Sequence, residues 1–227
     1  MLPLQWLLKR LSNEEQKLRE KFPEIKLERQ DLFNEATGAG RIVKIPVPVG
    51  IDEVEAVRVY RVNGLKASGY VKERDTVKPL NTHSFEIYIL RSYPFGLYSL
   101  KNPKKLAFYD APIRIRHLSN VYHPNIMPGP AYLADEYAGA VCWAVYANWL
   151  QTMTLEKIVE GYRDLIENPN PDPKEALNRP ICKEAATYFM SRLTEKHVAA
   201  AQQPVRPTEK PFVQHGGQRK PVVVGVS

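Results

Sequence analysis

The chain has 227 residues, of which 44% are hydrophobic, and a formal net charge of +7 at pH 7. This length and composition suffice for one domain with a full hydrophobic core, with residues left over for insertions or a tail. No apolar run reaches the roughly 18 residues of a membrane span, and the apolar start precedes the first charges, the reverse of a signal peptide. We therefore expect a soluble, cytoplasmic protein with no membrane partner.

The chain holds 32 basic and 25 acidic residues. A basic excess can favour nucleic acid, an acidic membrane or an acidic protein as partner. Here the two signs are interleaved, and the basic stripe with aromatic residues that is typical of single-strand binding is missing. We therefore expect no nucleic-acid partner. The two cysteines, Cys142 and Cys182, lie outside metal-binding and redox CxxC spacings, which indicates a reducing compartment, although one disulfide stays formally possible.

The first predicted element is an amphipathic helix that ends at Pro23. Its apolar positions recur at helical spacing: Leu7, Leu8, Leu11, Leu18 and Phe22. Four stretches of alternating apolar and polar residues then predict half-buried strands at 41–45, 57–62, 85–89 and 113–118. Asn63-Gly64 suits positive φ and is predicted to end the second strand. The short connections favour an antiparallel meander.

Two helices are predicted after the strands. Residues 155–167 carry a continuous apolar stripe, with Thr154 as the N-cap. The last helix starts near residues 178–180, where a proline is tolerated in the first turn, and continues to Leu193. Cys182 lies beside the apolar stripe of this helix and is interpreted as core packing, because unpaired cysteines are commonly buried.

The domain prediction divides the chain near residue 196. Residues 1–196 form one core domain with insertions near 96–111 and 126–138. Residues 197–227 contain several prolines and basic residues and are predicted to form an extended tail.

One group of motifs points to a particular chemistry. His123-Pro124-Asn125 precedes Cys142, Trp149 follows it, and Pro169-Asn170-Pro171 follows the second helix. This order resembles the ubiquitin-conjugating (E2) enzymes, in which such a turn precedes the active-site cysteine, a tryptophan follows, and a long helix leads to a second proline-rich turn. Residues 85–89 and 92–95 resemble the third strand and the Tyr-Pro-Phe segment of that family.

The resemblance implies an α+β ubiquitin-conjugating (UBC) fold with an N-terminal helix, a four-stranded antiparallel meander and C-terminal helices. It also implies a transferase in which Cys142 accepts ubiquitin or a ubiquitin-like protein (Ubl) as a thioester and passes it to a substrate lysine. Asn125 would stabilise the oxyanion or hold the active-site loop. Supporting residues are His123, which braces the turn, Pro124 and Trp149. No metal or organic cofactor is implied.

The remaining site residues are also assigned by resemblance. The family's acidic gate residue falls on Pro173, so Asp172 becomes the nearest carboxylate for orienting the incoming amine. Asp135 and Glu136, on the loop before Cys142, offer substitutes. The implied partners are an activating (E1) enzyme, the Ubl, and an E3 ligase or a substrate protein.

Two surfaces are expected to hold these partners. Phe95 corresponds to the family's ligase-gripping phenylalanine, although its companion loop reads Leu150-Gln151-Thr152 instead of Ser-Pro-Ala. The basic face of the first helix would contact the E1 through Lys9, Arg10 and Lys17.

Two other functions stay open. A noncatalytic E2-variant-like module would keep the fold and bind ubiquitin or a Ubl without a cysteine, so the presence of Cys142 counts against it. A cysteine hydrolase would need a histidine within hydrogen-bond reach of the thiol. His83, His117 and His123 are the histidines to consider, and the residues around Cys142 in the sequence include no such base.

Overall fold

The structure is a computed structural model that describes residues 1–48, 50–97, 110–128, 137–174 and 180–201, with side chains up to residue 193. In the described residues, one helix is followed by five strands and then by two helices. In chain order these are α1 (Leu4–Lys21), β1 (Lys26–Asp31), β2 (Arg41–Val47), β3 (Gly50–Glu73), β4 (Thr76–Leu90), β5 (Ile113–His117), α2 (Leu155–Glu167) and α3 (Lys183–Ala201). A 3-10 turn, Ala144–Tyr146, lies between β5 and α2.

The strands form one antiparallel sheet of five strands. β4 pairs with one side of β3, while β2 and β1 pair in succession with the other side, at residues 50–56 and 58–63 of β3. β5 completes the sheet by pairing with residues 85–89 of β4. Because β1 and β2 share one position, the sheet has the width of the predicted meander, and the expected α+β class is confirmed.

The hairpin between β3 and β4 differs from the prediction. These strands continue as a two-stranded ribbon to a turn at Arg74-Asp75, where Arg74 has a φ of 53°. The prediction that Asn63-Gly64 ends the strand is wrong. Gly64 does have a positive φ, 85°, but it lies inside β3, where the register shifts between Val62 and Leu65. The glycine therefore serves a β-bulge.

The main core lies between the sheet, α1 and α2. The apolar stripe of α2 is buried as predicted, as are Leu7, Leu11 and Leu18 of α1. Thr154 occupies the N-cap position of α2, but its hydroxyl accepts no capping hydrogen bond. The Leu155 N–H instead donates to the carboxylate of Glu14, 3.1 Å away on α1. A side chain from another helix therefore caps α2.

The predicted start of α3 is too early, since the helix begins at Lys183. It runs to Ala201, past residue 196, where the sequence analysis places the start of the tail. Phe189 of α3 packs on Tyr70 of the β3–β4 ribbon, with ring centroids 5.4 Å apart. The tail from residue 202, residues 98–109 and 129–136 of the predicted insertions, and residues 175–179 lie outside the described residues. In the described part of the chain, no helix has the length and apolarity to span a membrane.

Candidate functional site

Cys142 lies on an extended segment held along the free edge of β5. Before the thiol, the His117 N–H donates to the Gly139 carbonyl at 2.9 Å, and after it the Ala111 N–H donates to the Tyr146 carbonyl at 3.0 Å. Gly139 has a φ of +80°, and a Cβ atom here would lie only 2.1 Å from the His117 carbonyl oxygen. Only glycine allows this close approach. One flank of the cysteine is thereby fixed to β5 and the other to the residues just before it.

The turn at 123–126 lies against the cysteine segment. The Cys142 N–H donates to the Asn125 carbonyl at 2.8 Å, and the Met127 N–H donates to the Ala140 carbonyl at 2.9 Å. Ile126 also forms an isolated antiparallel bridge with Val141. The two motifs therefore lie side by side in the structure, although a loop separates them along the chain.

His123 uses both ring nitrogens to fix this turn. Its Nδ1 accepts the Asn125 N–H at 3.0 Å, and its Nε2 donates to the Leu165 carbonyl of α2 at 2.9 Å. Burial lowers the pKa of His123 to about 3. The ring is therefore neutral at pH 7, which leaves Nδ1 able to accept and ties the turn to α2.

The side chain of Asn125 joins the turn to the 169–171 segment. Asn125 is fully buried, and its Oδ1 accepts the Asn170 N–H at 3.1 Å. The Asn170 Oδ1 accepts the Asp172 N–H at 3.0 Å, and the Asp172 Oδ1 accepts the Lys174 N–H at 2.9 Å. The exposed Asp172 is therefore linked to the Asn125 turn through Asn170, and its carboxylate accepts a hydrogen bond within its own turn.

A fourth segment meets the turn at Pro124. The Pro124 carbonyl accepts two hydrogen bonds, from the Ile181 N–H at 2.8 Å and the Cys182 N–H at 2.9 Å. Cys182 is half-buried, and burial raises the pKa of its thiol. Neither cysteine forms a disulfide. The turn therefore anchors the start of α3 as well as the cysteine segment.

The thiol itself is poorly accessible, because Cys142 is only 2% exposed. The side chain that follows it, Trp143, packs over α2, where a Cβ on Gly161 would lie 3.2 Å from the Trp143 Cζ2 atom. In the described ranges, no group of three or more His, Cys, Asp or Glu side chains could hold a metal ion.

The other predicted residues form a second cluster on α1 and the loop before α2. The Trp149 Nε1 donates to the Pro94 carbonyl at 2.7 Å, next to the half-buried Phe95. Arg10 binds the buried Glu14 at 2.6 Å and also donates to the Met153 carbonyl at 3.1 Å. Arg10 is thus engaged within the protein.

The two lysines of the predicted partner surface differ from Arg10. Lys9 and Lys17 are exposed on α1, on the same helix as Trp6, whose side chain is 64% exposed. These three residues, rather than Arg10, present an open surface.

Sequence reasoning missed a group of buried polar side chains under the site. The His117 Nδ1 and the Tyr162 hydroxyl are hydrogen-bonded at 2.8 Å, and the rings of His83 and His117 lie 5.6 Å apart. Burial lowers the pKa of both histidines. The ring nitrogens of His83, His117 and His123 make no hydrogen bond to Cys142 among the described residues. Among the described side chains, no histidine therefore contacts the thiol in the way that a cysteine hydrolase requires.

Glu14 is a second omission, and here the sequence did carry a signal. Glu14 falls on the apolar stripe of α1 between Leu11 and Leu18, where a carboxylate has to find buried partners. It accepts hydrogen bonds from the Tyr93 hydroxyl at 2.7 Å and from Arg10, besides the Leu155 N–H. Burial raises the pKa of Glu14, while Tyr93 and Arg10 oppose that rise.

The chain is similar in part to known conjugating enzymes. No protein-family model matches the chain. A Sumo-conjugating enzyme, ubc9 of Dictyostelium discoideum, is 28% identical over 79 residues, which are 34% of this chain and 44% of that protein. The chain therefore spans less than half the length of this curated relative.

Two solved structures are also similar. Ubc12 of S. cerevisiae has a TM-score of 0.45 and 18% identity, covering 80% of this chain and 70% of that one. The E2 domain of a ubiquitin conjugating enzyme from Toxoplasma gondii has a TM-score of 0.43 and 14% identity, covering 85% of this chain and 92% of that one.

An N-terminal helix, an antiparallel sheet, a thiol-bearing loop and later helices, in this order, define an α+β domain and agree with the element order expected for the UBC fold. The sequence match to a conjugating enzyme agrees with that fold. The chain is therefore similar to the ubiquitin-conjugating (E2) enzymes over about a third of its length.

Proposed function

We propose that this protein is an E2-type transferase that carries ubiquitin or a Ubl as a thioester on Cys142. The observation that carries the proposal is the direct hydrogen bonding of the Cys142 segment to the Asn125 turn and of Asn125 to Asn170. A nucleophile, an amide donor and a nearby carboxylate, Asp172, are the groups that such a transfer uses. A reducing cytoplasm suits a mechanism that needs the reduced thiol.

The proposed reaction has two steps. In the first, the Cys142 thiolate attacks the carbonyl carbon of a Ubl thioester on the E1, and the E1 thiolate leaves as the new thioester forms. In the second, a substrate amine attacks that carbonyl and loses a proton, the amide forms, and Cys142 leaves as thiolate. Neither step changes an oxidation state.

The structure suggests different tasks for the two supporting side chains. The Asn125 Oδ1 accepts the Asn170 N–H, and we assign the Nδ2 amide, which is the donor group of this side chain, to the developing oxyanion. Asp172 is exposed on the adjoining turn and is the proposed acceptor for a hydrogen bond from the incoming amine. Lys9 and Lys17 are the proposed contacts for an acidic surface on the E1, and Phe95 for an E3 ligase.

One observation favours the noncatalytic Ubl-binding alternative. Cys142 is 2% exposed, whereas a nucleophile has to reach a thioester on another protein. The two functions predict different behaviour of the same thiol, because a binding module has no need of Cys142.

A charging experiment tests the proposal. The protein is incubated with an E1, its Ubl and ATP, and the adduct is followed on gels with and without reductant for wild type, Cys142→Ser and Cys182→Ser. We expect a thiol-sensitive adduct in wild type and Cys182→Ser, and none in Cys142→Ser. If Ubl binding is measurable but no E1–Ubl pair gives an adduct, the binding module is the better account.

A further inference from the structure

Tyr146 follows Cys142 by four residues and contacts β5 and the residues just before it. Its carbonyl accepts the Ala111 N–H at 3.0 Å, and its hydroxyl accepts the Ile115 N–H at 2.9 Å. The backbone contact would be available to any residue, whereas the hydroxyl contact requires tyrosine. The Ile115 N–H points away from β4 toward Tyr146. Without the Tyr146 hydroxyl, this N–H would be a buried donor that lacks an acceptor.

The surroundings of the Tyr146 ring keep it rigid. Tyr146 is 1% exposed, its ring lies edge-on to Trp143 at 6.1 Å between centroids, and the Arg114 guanidinium sits 5.7 Å from its ring centroid. Arg114 is itself fixed by Asp52 at 2.7 Å. The phenol is therefore held from both sides, and its hydroxyl is aimed at β5.

An electrostatic relation also links this phenol to the thiol. Burial raises the pKa of Tyr146 to about 12, the hydrogen bond from Ile115 and the charge of Arg114 oppose the rise, and Cys142 contributes to it. Charge on one group is therefore felt by the other.

We propose that Tyr146 is a positioning residue that fixes the Cys142 thiol against the free edge of β5 through the hydroxyl contact to Ile115. The proposal rests on the proposed function only in taking Cys142 as the acceptor of the Ubl. Before the thiol, the Gly139 carbonyl binds the same edge of β5. After the thiol, the Tyr146 hydroxyl binds that edge through its side chain.

The test compares two buried tyrosines. Tyr146→Phe removes the acceptor of the Ile115 N–H. Tyr60→Phe is the matched control, because Tyr60 is also fully buried and accepts a hydrogen bond from Arg58 at 3.1 Å. Tyr60 lies on β3, where it pairs with Arg29 of β1 and not with the cysteine segment. Both changes are made in a Cys182→Ser background, so that alkylation by iodoacetamide reports Cys142 alone. Alkylation rates over a pH series and charging rates are measured for each.

Loss of positioning has opposite effects on the two rates. We expect Tyr146→Phe to raise the alkylation rate of Cys142 about tenfold, because the segment loosens, and to lower the charging rate by a similar factor. Tyr60→Phe should leave both rates within about twofold of the parent even if it lowers thermal stability equally. Rates for Tyr146→Phe that match those of Tyr60→Phe would overturn the proposal.

Two further results keep the outcome decisive. If wild type is never charged, the proposed function fails, whereas the alkylation ratio still decides whether Tyr146 positions the thiol. If Tyr146→Phe does not fold, hydrogen exchange in wild type replaces it. The Ile115 amide should then be protected like the His117 amide, and exchange at the rate of an exposed amide would refute the contact.

Discussion

Asn125 connects more of the candidate site than any other single residue described. Its N–H is bound by His123, its carbonyl by Cys142, and its Oδ1 by Asn170. The side chain is fully buried. Because its acceptor oxygen already holds a neighbouring turn, removing the whole amide would disturb both loop structure and any catalytic donor.

A substitution that separates these two tasks is Asn125→Asp. A carboxylate can still accept the Asn170 N–H, but it cannot donate to an oxyanion. We expect charging to persist and discharge to a lysine amine to slow by about 10² to 10³. Asn168→Asp is the control, since Asn168 is exposed and precedes the same turn. Equal discharge rates for the two variants would show that the Asn125 amide does not stabilise the oxyanion.

At the scale of elements, β5 serves as a template because its edge holds the cysteine segment through hydrogen bonds. Helix α1 forms a brace for α2 because a side chain of α1 caps α2. The first relation depends on Gly139, whose φ of +80° lets its carbonyl reach the His117 N–H. The second depends on Glu14, which caps α2 from α1 while binding Tyr93 and Arg10. Both are contacts between elements distant in sequence.

Gly139→Ala tests the template. The new Cβ would lie 2.1 Å from the His117 carbonyl, so the segment has to move, whereas at Gly64 (φ +85°) the nearest atom is 3.4 Å away. We expect Gly64→Ala to cost about 1 kcal/mol of backbone strain and Gly139→Ala at least twice that, in urea unfolding. Charging should be lost only in Gly139→Ala. A Gly139→Ala protein that charges normally would show that the segment does not need β5.

Glu14→Gln tests the brace between the helices. The amide places an NH2 group against at least one of the three donors that now meet the carboxylate, so we expect a loss of about 2 kcal/mol in the free energy of unfolding. Glu20→Gln, at an exposed position bonded to Gln16, should change the stability by less than about 0.5 kcal/mol. Similar urea midpoints for the two variants would mean that the Glu14 contacts add no net stability.

On the scale of the whole molecule, burial of neutral histidines makes the fold sensitive to acid. His83, His117 and His123 are all buried, and burial lowers the pKa of each. The unfolded chain, with ordinary histidine pKa values of about 6.5, takes up protons first as the pH falls. Stability is therefore lost below about pH 6.5, down to the folded pKa, which for His123 is about 3.

Urea unfolding at pH 8, 7, 6 and 5.5 measures this dependence. The free energy of unfolding should be level above pH 7 and then fall, with a slope that approaches about 1.4 kcal/mol per pH unit for each histidine. His83→Gln should flatten the slope by removing one such group. A wild-type stability that rises between pH 7 and 5.5 would contradict the buried neutral state.

Sequence periodicity predicted the elements whose buried faces are regular. The bounds of α2 follow from its continuous apolar stripe, whereas β1 escaped notice because Leu27 is the only buried residue in Lys26–Asp31. Gly64 was misread because positive φ serves bulges as well as turns. The true turn uses Arg74, a residue with no preference for that conformation.

The candidate site divides in the same way. The motifs around His123 and Cys142 indicated which loops belong together, since the turn residues and the thiol are explicit in the sequence. The hydroxyl of Tyr146 and the imidazole of His117 could not be assigned, because periodicity predicts which positions are buried and not which hydrogen bonds they form. Their hydrogen bonds depend on strand register, which the fold alone determines.

The central claim is that Cys142 passes a Ubl to an amine, and single-turnover product analysis tests it most directly. Protein charged with Ubl is separated from the E1 and mixed with free lysine. The mass of the released Ubl is then measured by mass spectrometry. The account predicts a Ubl carrying one lysine through an amide bond, formed at a rate that rises with lysine concentration and absent for Cys142→Ser. Release of only the free Ubl acid, at a rate independent of lysine, would contradict it and indicate a hydrolase.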